Sequence, residues 1–306
     1  MKKVNAASGI LFVLLVFICM DFNSSPLPGQ AAVQEQAEIP EISTPRTESM
    51  VDVGGRKLHC CVYGSGAPAV VLVSGFGAPQ IYWNPVIPAL AAKTTVVTYD
   101  RAGVGKSELG RLPAHGEQSA RDLHALLAKL AVPKPYLLFG HSFGGFVARL
   151  FAAMYPEDMA GLILEETQHE DNLVEMRKIL KGKDLETFDQ VLLPSFAAPE
   201  NPRDEADYRN ATREQLKKIT PLPPMPFVIL TVRGRAAAMR GMFSDGAIEA
   251  IAKLDEDLMG RLAASIPGGK QIMIEGTGHH VHVDKPEALI APVEEMIATV
   301  KGKRQN

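Results

Sequence analysis

Cysteine is scarce in this chain, with three in 306 residues, at positions 19, 60 and 61. Cys60 and Cys61 are neighbours on an expected strand, so their side chains leave on opposite faces, and a bridge between them would strain the backbone. A disulfide scaffold is therefore excluded, and no Cys/His spacing suits a zinc site. Two small half-buried thiols are expected instead. An excess of positive charge is lacking as well. The net charge is −3 and no basic cluster runs beyond a few residues, which excludes nucleic acid as a natural partner. No internal repeat occurs. The longest apolar run, Ile10 to Met20, is about eleven residues, or fifteen counted from Ala6, short of the ~20 that a membrane-spanning helix needs.

That run has a different meaning. Lys2 and Lys3 precede it, and Gln30-Ala31-Ala32 follow as a small-residue cleavage zone, the layout of a secretory signal. Residues 1–32 are expected to be such a signal, which makes the chain secreted or periplasmic. An uncleaved anchor is the alternative, and only then would the chain touch a membrane. Lipidation of Cys19 is disfavoured by the bulky Ile18 before it. Residues 33–46, in a stretch rich in Pro, Gln, Ala and Glu, read as a linker, and residues 47–306 as the folded domain. With 46% apolar residues the domain has material for a sizeable core.

Unbroken apolar runs punctuate it: Ala69 to Val73, Thr95 to Tyr99, Pro135 to Phe139, Leu162 to Leu164, Phe227 to Val232 and Gln271 to Ile274. Runs without polar alternation indicate strands buried on both faces. Helical periodicity lies between them, at Ser119 to Leu130, Phe143 to Met154, Ala247 to Ala264 and Pro286 to Val300. The alternation predicts an α/β fold with a mostly parallel central sheet flanked by helices, preceded by a hairpin of Met50 to Val53 and Lys57 to Tyr63 around Gly54-Gly55. From about Glu170 to Pro224 the alternation breaks into charged, helical-looking sequence with a Pro-rich patch at Pro199 to Asp207. Roughly fifty residues between consecutive strands are too many for a connection. A helical lid at about 170–224 is expected, a remote surface decoration being the plainer alternative.

The sharpest local signal is Gly140-His141-Ser142-Phe143-Gly144, which falls where a strand turns into a helix. This is the context a G-x-S-x-G nucleophile elbow requires. Ser142 must stand on a strained turn, strand and helix must nearly touch, and the glycines remove the Cβ atoms that would collide. The helix N-terminus also offers the Phe143 N–H to a developing oxyanion. By contrast Gly103-Val104-Gly105-Lys106-Ser107 is no phosphate loop, because the pattern needs glycine five residues before Gly105 and finds Asp100.

Besides the elbow the chain carries Ser74-Gly75-Phe76-Gly77 after the first buried strand. It also carries Asp100-Arg101-Ala102-Gly103-Val104-Gly105-Lys106-Ser107, and Gly278-His279 followed by Pro286-Glu287. With these four motifs in order, residues 47 to 302 resemble the α/β-hydrolase fold superfamily, in its lid-bearing ester-hydrolase branch. The resemblance implies H-G-x-G-like, D-R-x-G-x-G-x-S-like and G-H-x-x-x-x-x-x-P-E-like roles for those segments. Asp100 and Arg101 would pin their loop, Lys106 would be solvated, and Phe76 N–H would join Phe143 N–H in an oxyanion hole. Tyr82 and Trp83 would line an acyl pocket, or in Trp83's case simply fill the core.

A serine hydroxyl needs an imidazole to take its proton. His279 is the expected base and His280 its rival; His282 is expected to pack under the loop and His141 to serve structure. The family often places its acid in the loop after the penultimate strand, but that loop reads Val232-Arg233-Gly234-Arg235-Ala236. Some members of the family carry it at the end of the strand after the nucleophile helix, where Glu166 aligns, so the resemblance implies Glu166 as the expected acid. The chemistry allows it, because any buried carboxylate on the second N–H of the imidazole suffices. Asp245 is the alternative acid, then Glu165; a solvated Glu pair is the plain reading. The expected function is serine hydrolysis of a small-molecule ester with an apolar acyl part. Amide, C–C, lactone and cyanohydrin chemistry stay open, as does a non-catalytic binder. Ser142 excludes dehalogenase and epoxide-hydrolase chemistry, which needs a carboxylate at the elbow. No metal or organic cofactor is implied.

Overall fold

A computed structural model describes residues 39–110, 115–194, 209–219 and 222–303. The expected signal, the first part of the linker and the patch Pro199 to Asp207 lie outside the described residues. Among the described residues no helix is long and apolar enough to cross a membrane.

Eight strands, β1 (Arg46–Asp52), β2 (Lys57–Tyr63), β3 (Ala69–Val73), β4 (Val96–Tyr99), β5 (Tyr136–His141), β6 (Met159–Glu165), β7 (Phe227–Val232) and β8 (Lys270–Ile274), make one sheet in the order β1-β2-β4-β3-β5-β6-β7-β8. The β1–β2 and β2–β4 pairs are antiparallel and all others parallel. Nine helices are described: α1 (Ile87–Ala91), α2 (Gly116–Lys129), α3 (Phe143–Met154), α4 (Asn172–Ile179), α5 (Gly182–Thr187), α6 (Arg209–Leu216), α7 (Asp245–Ala264), α8 (Val281–Asp284) and α9 (Glu287–Lys303).

The unbroken apolar runs have the cause expected of them. Along β3, Ala69, Val71 and Val73 enter one core with Leu123 and Leu126 of α2, Phe146 and Phe151 of α3 and Met259 of α7. Val70 and Leu72 enter a second core with Ile87 of α1 and Leu289, Val293 and Ile297 of α9. Both faces of the pleat are covered, so polar alternation has no place there. Helix α2 starts three residues ahead of the expected Ser119. The reason is its cap: His115 Nδ1 accepts the Gln118 N–H at 3.2 Å, a role the periodicity does not signal.

Between β6 and β7 the chain leaves the sheet and forms α4, α5, a π-turn over Phe188–Leu192, and α6. Leu173, Met176, Leu180, Phe188 and Leu192 pack with Ala236, Met239, Phe243 and Ile251 in a third cluster, separate from the two sheet cores. Polar ties hold it to the sheet layer. Arg149 of α3 grips both oxygens of Glu170 at 2.7 and 3.0 Å, Asn172 donates to Asp255 of α7, and Gly116 N–H donates to Thr212 Oγ1 at 2.9 Å. Because Phe188 is fully buried in this cluster, Phe188→Ala should cost about 3 kcal/mol in a urea melt of the full chain. Val174→Ala, at an exposed position of α4, should stay within about 0.5 kcal/mol. Equal effects would contradict the packing described.

Candidate active site

The parallel strands point their C-terminal ends toward one edge, where loops gather the chemistry-bearing side chains. Ser142 follows β5 with φ 52° and ψ −119°, a left-handed conformation costly for any residue but glycine, on the order of 1–3 kcal/mol. Its N–H donates to Glu165 O at 2.8 Å, and its C=O accepts from Gly145 N–H at 3.0 Å and Thr167 Oγ1 at 2.9 Å. The glycines around it have no alternative. A Cβ on Gly140 would lie 2.6 Å from Gly144 O, and one on Gly144 would lie 2.1 Å from Val73 O. Both are main-chain atoms that cannot swing away. The turn Ser74 to Gly77 lies against the elbow too, since a Cβ on Gly75 would sit 3.4 Å from Ser142 Cβ and 2.7 Å from His141 Nδ1. Phe76 and Phe143 are buried, with rings edge to face at 6.3 Å. Trp83 is a core residue: fully buried, it donates Nε1–H to Ser74 Oγ at 2.9 Å.

Glu166 follows β6 directly, and its φ of 49° turns it out of the strand path. Its side chain is buried. Oε1 accepts the Val232 N–H from the end of β7 at 2.6 Å, and Oε2 faces His279 Nδ1 at 3.4 Å. The His279 ring is 45% exposed, and its edge opposite the carboxylate is the Nε2 edge. A 3.4 Å approach is loose for a charge-assisted bond, as is common in hydrolytic sites before substrate binds. Asp245, the alternative acid, is the exposed first residue of α7. In the loop after β7, Arg233 is exposed and paired with Glu275 at 3.3 Å. The carboxylate brought to His279 is that of Glu166. Glu165 is not solvated either, being fully buried beneath it.

Residues 70–292 match the alpha/beta hydrolase family. The chain belongs to that family. The uncharacterized protein YqjL of Bacillus subtilis is 33% identical over 101 residues, 33% of this chain and 40% of that one. A soluble epoxide hydrolase of Corynebacterium sp. is 36% identical over 113 residues, 36% of this chain and 38% of that one. This chain thus spans about two fifths of the length of these curated relatives. A thermophilic esterase from Thermogutta terrifontis shares the fold, with a TM-score of 0.57 at 22% identity over 84% of this chain and 99% of that one.

Behind the edge of this alpha/beta hydrolase sits a second layer that periodicity did not announce. His282 gives both its main-chain N–H (3.1 Å) and Nδ1 (2.9 Å) to Glu165 Oε1, while its ring lies 4.4 Å from that of Trp83. His141 Nε2 donates to the His279 carbonyl at 2.9 Å. The loop carrying His279 is therefore fastened from below by two buried residues. One of them, Glu165, adjoins Glu166 in sequence; a strand-end Glu pair was the available signal. His141, Glu165 and His282 bring donor atoms within 4.8 Å of one another, as do Glu48, His59 and Cys61. In the first set Glu165 is occupied by His282, and in the second Glu48 carries the Lys106 ammonium at 2.8 Å. Lys106 is thus paired while mostly exposed.

Burial decides the charges of this layer. It holds His141 and His282 well below the usual 6.5 and lowers His280, and it pushes Glu165 up to about 7. A histidine kept neutral by the fold stabilises it fully above pH 6.5 and loses that contribution as pH falls toward its folded value. Glu165 acts oppositely, its contribution weakening as pH climbs from about 4.5 to about 7. Three histidines against one carboxyl give a net loss toward acid. The thermal midpoint should fall by about 5 °C or more between pH 7 and pH 5. A midpoint that holds or rises over that interval would show that the buried rings are not kept neutral.

Proposed function

We propose that this chain is an exported serine hydrolase acting on a carboxylic ester with an apolar acyl part. The observation carrying the reading is a serine on a left-handed elbow in one loop cluster with His279, whose Nδ1 faces a buried glutamate. In the proposed reaction Ser142 Oγ attacks the ester carbonyl while His279 Nε2 takes its proton, and Glu166 steadies the imidazolium through Nδ1–H. The tetrahedral oxyanion receives the Phe76 and Phe143 N–H groups. Collapse expels the alcohol, protonated by His279, and leaves an acyl-enzyme; water, deprotonated by the same imidazole, then frees the acid and restores Ser142. The segment from about 170 to 224 serves as a lid, supported by its own apolar cluster and its ties to α3 and α7.

Two relatives point in different directions, one being an epoxide hydrolase and one an esterase by fold. Epoxide opening on this fold uses a carboxylate at the elbow, and residue 142 is serine, which favours the ester. Residues 1–32 act as the export signal; if they are retained the domain is tethered to a membrane.

A fluorophosphonate probe should label the parent chain and fail to label Ser142→Ala. On a short-chain aryl ester, His279→Ala should lose at least about 10³-fold in turnover while His280→Ala keeps most of it. Labelling that survives in Ser142→Ala would remove the serine from the chemistry. The acid is tested separately: Glu166→Gln should lower kcat by about 10³–10⁴, and Asp245→Asn should change it less than about twofold. The reverse order would move the acid to α7.

A further inference from the structure

Arg101 sits just past β4 and is only 3% exposed, although burying a guanidinium forfeits its hydration. Its Nη1 donates to Ser74 O and its Nη2 to Gly75 O, two successive carbonyls of the turn that lies against Ser142. Its Cζ also stands 5.4 Å from the centre of the Phe143 ring, within the range of a cation–π contact. The loop that carries it is anchored by its neighbour Asp100, which accepts from Gln80 N–H at 2.7 Å and Lys106 N–H at 3.0 Å and faces His59 Nδ1 at 2.8 Å. One side chain therefore holds the carbonyl of the Gly75–Phe76 peptide and touches the ring of Phe143, the two residues 76 and 143 being those whose amides form the oxyanion hole in the proposed reaction.

In a planar trans peptide the C=O and N–H point in opposite directions. Gly75 C=O and Phe76 N–H belong to one such unit. A guanidinium that captures the carbonyl thus fixes where the Phe76 N–H is aimed. Charge on the carbonyl side also polarises the amide, making its N–H a stronger donor. Among the described residues the main-chain tie on that carbonyl is a long one, from Ala78 N–H at 3.3 Å, and glycine at 75 gives the peptide little conformational resistance of its own. We infer that Arg101 is a positioning residue for the oxyanion hole, orienting and polarising the Phe76 amide through the Gly75 carbonyl and bracing Phe143 through its ring. This role goes beyond pinning the Asp100–Ser107 loop, and it rests on the serine-hydrolase reading.

The test uses Arg101→Lys, which keeps a positive charge but lacks the two-pronged fork, and Arg101→Ala, both in the full chain. On an aryl ester, kcat should fall about 10²-fold with KM within about threefold of the parent. Inhibition by an aryl trifluoromethyl ketone, whose hemiketal with Ser142 bears the same oxyanion, should weaken by the same factor. Millimolar guanidinium should restore at least about tenfold of the Arg101→Ala loss, and ammonium should not. Three results would each overturn the inference. They are an Arg101→Lys variant with parental kcat, a kcat loss that leaves the ketone's affinity unchanged, and losses that follow the drop in thermal midpoint across the two variants. Fluorophosphonate labelling separates the two claims. A parent chain that is not labelled ends the serine-hydrolase reading and this role with it; a labelled, active parent matched by Arg101→Lys ends this role alone.

Discussion

Helix α3 approaches β3 and β5 so closely that there is no room for a side chain at residues 140 and 144, and the site is built on that approach. Removing two Cβ atoms lets the helix N-terminus meet the strand end at Ser142. The serine is then held in its left-handed turn by a hydrogen bond to the neighbouring strand at Glu165 and by Thr167 on its carbonyl. The strain at one residue is maintained because the surrounding main chain leaves no alternative. The same approach brings the Ser74–Gly77 turn against the elbow, so that candidate donors from two elements converge on one serine.

The end of β6 supplies two carboxylates with opposite duties. Glu165 is still within the strand and points beneath the edge, where His282 occupies it in a fully buried pair. Glu166 is turned by its positive φ across the end of β7, where the Val232 amide and His279 share its oxygens. One residue of separation thus divides a buried tie for the loop from the carboxylate that faces an exposed imidazole. His141 adds a third restraint by holding the main chain of His279 itself, so the ring at the surface is carried on a loop secured from below.

The insertion between β6 and β7 has a small apolar cluster of its own, shared with the segment after β7, and few but strong polar ties to α3 and α7. Its α6 end is anchored in the first sheet core through the fully buried Leu216, whereas the part from α4 to the π-turn packs in its own cluster and can shift with modest loss of packing. That property suits a segment that would cover a site during turnover.

Much of this was legible locally. The uninterrupted apolar runs located β3 and β7 to the residue and β4 and β8 to within one, because burial on both faces is a property of composition alone. They missed the last two residues of β5 and caught only Leu162 to Leu164 of β6 (Met159–Glu165). The glycine–serine–glycine spacing located the elbow, since the steric conflict arises between residues a few positions apart. Strand and helix ends slipped where a side chain intervened, as at His115. The preference for Glu166 over Asp245 and Glu165 comes from the family resemblance and not from the residues themselves, because all three are carboxylates at the ends of neighbouring elements. Which of them meets the imidazole depends on the pairing of β6 with β7 and on one positive φ, both consequences of long-range packing. The reach of Arg101 to the Ser74 and Gly75 carbonyls is of the same kind. The sequence by itself determined the scaffold and the position of its serine. Tertiary structure alone decided which charges stand beside it, because contacts between residues a hundred positions apart follow from the closed fold and leave no local pattern.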